Sequence, residues 1–122
     1  MTTTAASRQA LGRYGETVAA QLLIEAGLTL LDRNWRCDEG EIDLVLREGA
    51  VLVVCEVKTR RGDLGGTPHE AIDDAKLDRL HRLGRRWMTA QDLHSDDVRV
   101  DLVAVIQPAR GRAVVDHVRG IG

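Results

Sequence analysis

Asp43, Glu56 and Lys58 are the residues of this sequence whose types and spacing can do chemistry. Asp43 lies in Gly40-Glu41-Ile42-Asp43-Leu44-Val45. The other two lie in Val51-Leu52-Val53-Val54-Cys55-Glu56-Val57-Lys58-Thr59-Arg60. Both runs read as strands. Strand side chains alternate between faces, so Glu56 and Lys58 share one face and Val57 takes the other. A hairpin of the two runs would gather two carboxylates beside one ammonium group. Carboxylate oxygens suit Mg²⁺ or Mn²⁺, and a cation held there helps to activate water. A nearby lysine can orient the nucleophile, assist its deprotonation or stabilise charge on a pentavalent phosphate. The sequence leaves these three roles open.

Each residue also has a plainer reading. Asp43 alone reads first as a solvated acid on a half-exposed strand. Glu56 could simply pair with Lys58 along the strand, but its place in an apolar run makes an unpaired, unligated carboxylate costly.

The elements that must position these groups follow from periodicity. Residues 1–7 are expected to be disordered, with one domain over 8–122. Leu11, Tyr14, Val18, Leu22 and Leu23 recur at helical spacing and predict a helix over 7–26, ended by Gly27. Strands are expected over 29–35, 41–47 and 51–59, with turns at 37–40 and 48–49. Residues 61–68 hold three glycines and a proline and predict a loop. A helix over 69–89 follows, with Ile72, Leu77, Leu80, Leu83 and Trp87 as its apolar stripe. A strand over 98–106 and a short one over 113–118 complete the chain. Short turns make the first three strands antiparallel, and the long helix permits a parallel crossover to the fourth.

Composition narrows the field. Hydrophobic residues are 43% and charged residues 30% of 122, as in globular domains. Aromatics are 2%, too few for a row of base-stacking platforms. The net charge of -2 argues against a bulk electrostatic binder of nucleic acid. Four scattered histidines and two distant cysteines give no zinc spacing. Cys55 reads as a small buried thiol. The absence of a signal-peptide pattern and of an apolar run of roughly 18 residues sets the expectation of a cytoplasmic protein with no membrane partner.

Further short motifs accompany the first three residues. Arg13-Tyr14-Gly15-Glu16 lies in the first helix, Arg33-Asn34-Trp35-Arg36-Cys37 precedes Gly40-Glu41-Ile42-Asp43, and Glu56-Val57-Lys58-Thr59-Arg60 follows. Asp, a spacer and Glu-x-Lys resemble the PD-(D/E)xK nuclease signature. In this order the motifs, spanning roughly 8–106, resemble the YraN family of small bacterial predicted nucleases, akin to archaeal Holliday-junction resolvases. The resemblance implies an α/β, restriction-endonuclease-like mixed β-sheet flanked by helices, in the order α-β-β-β-α-β-(β). It implies a Mg²⁺- or Mn²⁺-dependent endonuclease acting on DNA, branched or structured DNA included. Glu16, Asp43, Glu56 and Lys58 would be the catalytic set. Asp43, Glu56 and Glu16 would hold the metal, with Glu41 as a helper. Glu16 alone would pass for an exposed helix acid, though Gly12, Ala19 and Ala20 beside it are small enough to bring that helix close to the sheet. Resolvases pair as dimers to cut two strands, which leaves a homodimer open, although no patch in this sequence predicts one.

Basic residues suggest where a phosphate backbone would lie. Arg60 and Arg61 follow the Glu-x-Lys strand, and Lys76, Arg79, Arg82, Arg85 and Arg86 form a stripe on the second helix. Lys76 also matches a family lysine, as do Asn34, Trp35 and Arg36 their family counterparts. The plainer reading of the stripe is a solvated face partnered by Asp73, Asp74 and Asp78. Trp35 could stack on a base or serve the core or a sheet edge. Asp101 is expected in a structural ion pair outside the site. Two other functions remain open: a non-catalytic nucleic-acid-binding module on the same scaffold, and an interaction protein with its acids as a solvated face.

Overall fold

The computed structural model describes residues 4–62 and 72–121. Its elements are α1 (Ala5–Glu25), β1 (Thr29–Cys37), β2 (Gly40–Glu48), β3 (Val51–Arg61), α2 (Asp74–Gln91), β4 (Val98–Gln107) and β5 (Val114–Val118). The five strands form one sheet in the order β1-β2-β3-β4-β5. Neighbours are antiparallel except β3 and β4, which run parallel and are joined through α2. The mixed sheet flanked by helices, in the order α-β-β-β-α-β-β, is the architecture expected from the sequence.

Each helix covers one face. Ala19, Ala20 and Leu23 of α1 pack with Leu44, Leu46, Val53, Cys55, Val103 and Val105. Leu80, Leu83, Trp87 and Met88 of α2 pack with Ile42, Val45, Leu52, Val54 and Val100. β3 is thus apolar on both sides over its first half, as a central strand must be. Cys55 is buried.

Several boundaries differ from the sequence reading, each for a local reason. α1 starts at Ala5, two residues before the helix start expected at 7. The Thr4 hydroxyl caps the helix by accepting from the Ser7 amide. The buried face of α1 is Gly15, Ala19, Ala20 and Leu23, whereas Tyr14 is exposed and its hydroxyl donates to Gln107 Oε1 at 2.8 Å. Cys37 and Gly40 pair across the first hairpin, so its turn shrinks to Asp38-Glu39. Glu48 pairs with Val51, which moves the next turn to Gly49-Ala50. Arg61 is still strand, paired with Gln107. α2 begins at Asp74 because the extended Asp73 caps it, accepting from the Lys76 amide at 2.8 Å. The expected loop beyond Gly62 and the expected helix start at His69 lie outside the described residues.

Candidate metal centre

The site is built at a fork in the sheet. The ladder between β2 and β3 runs from Glu48 opposite Val51 to Leu44 opposite Cys55. One step further the same register would set Asp43 opposite Glu56, two like charges in one cross-strand pair. The ladder ends there instead. β2 continues beside β1 to Gly40, and β3 continues beside β4 to Arg61. Side-chain alternation breaks at the same point: Ile42 packs in the α2 cluster, whereas Leu44 packs in the α1 cluster. In a regular strand they would share a face. Asp43 Oδ2 fills the fork, accepting from the Val57 amide at 2.8 Å.

Two elements then bring acids to Asp43. At Gly15 a methyl group would collide with the Thr59 side chain, so glycine lets α1 lie directly on β3. That approach delivers Glu16, the next residue. Glu41 arrives from β2, two residues before Asp43. Carboxylate oxygens of Glu16, Glu41 and Asp43 lie within 4.8 Å of one another. Asn34, at the left-handed φ of 53° that asparagine tolerates, binds two of them. Its Nδ2 donates to Glu16 Oε1 at 3.0 Å and to Glu41 Oε1 at 3.1 Å. Arg33 lies 3.9 Å from Glu16, and Arg36 lies 3.1 Å from Glu41.

Burial, followed by the charge of Glu56, pushes the Asp43 carboxyl up to about 7; Glu16 and Glu41 act in the same direction, and only the Val57 amide opposes them. Three carboxylate oxygens at this spacing could hold a metal ion.

Glu56 lies beside Asp43 and acts on its charge. It stands outside this group of three, while Glu41, expected as a helper, stands within it. Glu56 Oε1 lies 3.6 Å from Lys58 Nζ and 3.2 Å from Lys76 Nζ. Cys55 and Val57 pack on the α1 side, so Glu56 turns toward α2, where Lys76 meets it. The intrastrand pair with Lys58 and the electrostatic contact with Asp43 therefore coexist.

The remaining basic residues are spread around this centre. Arg60 is half-buried, Arg61 and Arg79 are exposed, and Arg79 lies alongside Gly40. Among the described residues, Lys76, Arg82 and Arg86 of the α2 stripe pair with acids other than Asp73, Asp74 and Asp78. Arg86 pairs with Asp38 and also meets Glu39 at 3.8 Å, and Arg82 meets Glu39 at 3.9 Å. The acids come from the β1–β2 turn because Leu80, Leu83 and Trp87 dock α2 on that part of the sheet. Trp35 packs against the α2 cluster, a core role. Asp101 is buried, and it is ion-paired as expected. It takes Arg99 at 2.8 and 3.0 Å, His117 at 2.8 Å and the Gly120 amide at 2.9 Å.

A cleft of about 410 Å³ opens over two of the acids, lined by Gln9, Gly12, Arg13, Glu16, Asn34, Arg36 and Glu41. The sequence reading gave Gln9 and Arg13 no role, yet residues 9, 12, 13 and 16 share one helix face by spacing alone. Asn34 carried only a family match, and its bridging role depends on a backbone conformation that the sequence does not announce. A larger cleft of about 570 Å³, lined by His81, Arg85, His94, Asp96 and Asp97 among others, contains none of the clustered acids.

The fold and site define a class: small α/β domains whose central sheet forks around clustered carboxylates. Residues 15–105 match the model of the Uncharacterised protein family UPF0102, and the chain belongs to that family, the YraN group that its motifs resemble. A UPF0102 protein of Nocardioides sp. is 60% identical over 118 residues, covering 97% of this chain and 95% of its own. A UPF0102 protein of Streptomyces coelicolor is 54% identical over 117 residues, covering 94% and 90%. One from Kineococcus radiotolerans is 53% identical over 116 residues, covering 94% and 95%. No helix among the described residues is long and apolar enough to cross a membrane.

Proposed function

We propose that this protein is a metal-dependent phosphodiester hydrolase, an endonuclease acting on DNA, with branched or otherwise structured DNA as its substrate form. The observation that carries this reading is the convergence of Glu16, Glu41 and Asp43 within 4.8 Å at the fork. Glu16, Glu41 and Asp43 would hold Mg²⁺ or Mn²⁺, which supplies a polarised phosphoryl oxygen and a water of lowered pKa when bound. The Val57 amide donates to Asp43 Oδ2, which fixes the orientation of this carboxylate. Lys76 and Lys58 neutralise Glu56, and Lys58 leads on to Arg60 and Arg61, which face a polyanion with positive charge.

The pairing of Glu56 with two lysines favours one second reading, a nucleic-acid-binding module without turnover. One experiment separates the two. Mn²⁺ is titrated by calorimetry into the unmodified chain and into Glu16→Gln/Asp43→Asn, and cleavage of a DNA junction is followed with and without metal. The hydrolase reading requires metal-dependent cleavage that Lys58→Ala and Asp43→Asn abolish without unfolding the protein. Cleavage that persists without metal, or that ignores Asp43→Asn, sinks the assignment. DNA affinity with metal binding but no cleavage of any form selects the second reading.

A further inference from the structure

Three glycines lie within helices among the described residues, and packing explains two of them. A methyl group at Gly15 would strike Thr59, and one at Gly84 would come within 2.7 Å of Val54 Cγ2. At Gly12 a methyl group would meet nothing within 4 Å. A mid-helix glycine costs about 0.5–1 kcal/mol against alanine, so the fold gains nothing from Gly12. Its side of α1 lines the cleft over the acids, one turn before Glu16. Glycine there leaves bare backbone for a ligand to approach. Arg13 adjoins it, and its guanidinium has no hydrogen-bond or ion-pair partner among the described residues. Across the cleft Arg36 meets Glu41 at 3.1 Å through one nitrogen, with its side chain 77% exposed. On α2, by contrast, Lys76, Arg82 and Arg86 already face Glu56, Glu39 and Asp38.

From this we infer that the cleft over Gly12 is the path by which a phosphodiester backbone reaches the carboxylates, gripped by Arg13 and Arg36. The inference rests on the hydrolase reading and deepens it: the strand enters along α1 and β1. Arginine forks hold successive phosphates there without reading sequence. Gln9, one turn before Arg13, supplies an uncharged amide to the same backbone.

The test is fluorescence anisotropy with labelled DNA and RNA strands of the same sequence, run with Mn²⁺ across a salt series. The proteins are the unmodified chain, Gly12→Ala, Gly12→Leu and Arg13→Ala. Gly12→Ala should melt higher and bind as the unmodified chain does. Gly12→Leu keeps a helix former and fills the cleft, so it should bind about tenfold more weakly with Mn²⁺ affinity and melting temperature retained. Arg13→Ala should weaken binding and reduce the salt slope by about 0.7–0.9. Full affinity in both Gly12→Leu and Arg13→Ala overturns this path and leaves the hydrolase reading intact. The same losses with RNA alone support the path and overturn the DNA assignment. No binding of either strand by the unmodified chain overturns both.

Discussion

Asp43 accepts a hydrogen bond from the backbone N–H of Val57 at 2.8 Å, across the point where β2 and β3 part. A side chain there does what a ladder carbonyl does elsewhere, and it satisfies a half-buried amide that the fork would orphan. One carboxylate thus serves both the sheet and the acid cluster.

Asp43 makes the metal-free protein less stable as pH rises. Its carboxyl stands at about 7 in the folded chain against an ordinary 3.8, through burial and the charge of Glu56. The folded state therefore holds that proton more tightly. The resulting stabilisation is full below 3.8 and is lost as pH rises through about 7. Asp38, Glu48 and Asp101 are shifted downward, so their windows lie at lower pH. With chelator present, the melting temperature should fall between about pH 4 and 7, and Asp43→Asn should flatten that fall. A parallel fall in the variant would show that another group is responsible.

Metal binding should release a proton. Near neutral pH part of the Asp43 population is protonated, and a cation must displace that proton. Affinity for Mn²⁺ should climb with pH and level off above about 7. Calorimetry in two buffers of different ionisation enthalpy measures the proton directly. Equal heats in both buffers at neutral pH would contradict the position given to Asp43.

Asn34→Gly should loosen the acid cluster while sparing the backbone, because glycine accepts the φ of 53°. The two hydrogen bonds to Glu16 and Glu41 are lost. The expected result is weaker Mn²⁺ binding by about a factor of ten with little change in melting temperature. Unchanged binding would mean that the cluster is held by other contacts.

Asp101→Ala should be among the most destabilising changes in the chain. Burial alone would raise the Asp101 carboxyl, but Arg99, the Gly120 amide and His117 together hold it below its ordinary range. Removing it leaves Arg99 and His117 without their buried partner, at a cost of about 3–5 kcal/mol. Urea unfolding of the variant measures the loss. A change below about 1 kcal/mol would place Asp101 among ordinary surface pairs.

Much of this was legible in the sequence, and the exceptions share a cause. Alternation and helical spacing gave the two faces of β3 and the docking face of α2, because burial obeys the same periods. Glu41 and Asp43 were readable as neighbours two residues apart on one face. Alternation also predicted that Glu56 and Lys58 point together, and they do. It could not predict that the ladder stops at Leu44 and Cys55, which decides that Glu56 turns to Lys76 and stands outside the group with Asp43. The partners of Arg82 and Arg86 depend on where α2 crosses the β1–β2 turn, a long-range fact. The bridge made by Asn34 needs a positive φ inside a strand, which a period-two pattern cannot carry.

The surroundings of Asp101 bear on how the chain can be synthesised. Its carboxylate gathers Arg99, His117 and the Gly120 amide, and Arg99 reaches on to Glu48, which also pairs with Arg119. The amide of Ile121 closes on the Val100 carbonyl beside it. A ribosome delivers these groups from the N-terminus onward. While residues 117–121 are still in the exit tunnel, Asp101 has only Arg99 to offset its burial, and β4 has no partner at its outer edge. Nascent chains arrested before Gly120 emerges should therefore be open to proteases, and emergence of residues 117–121 should make the sheet resistant in a single step.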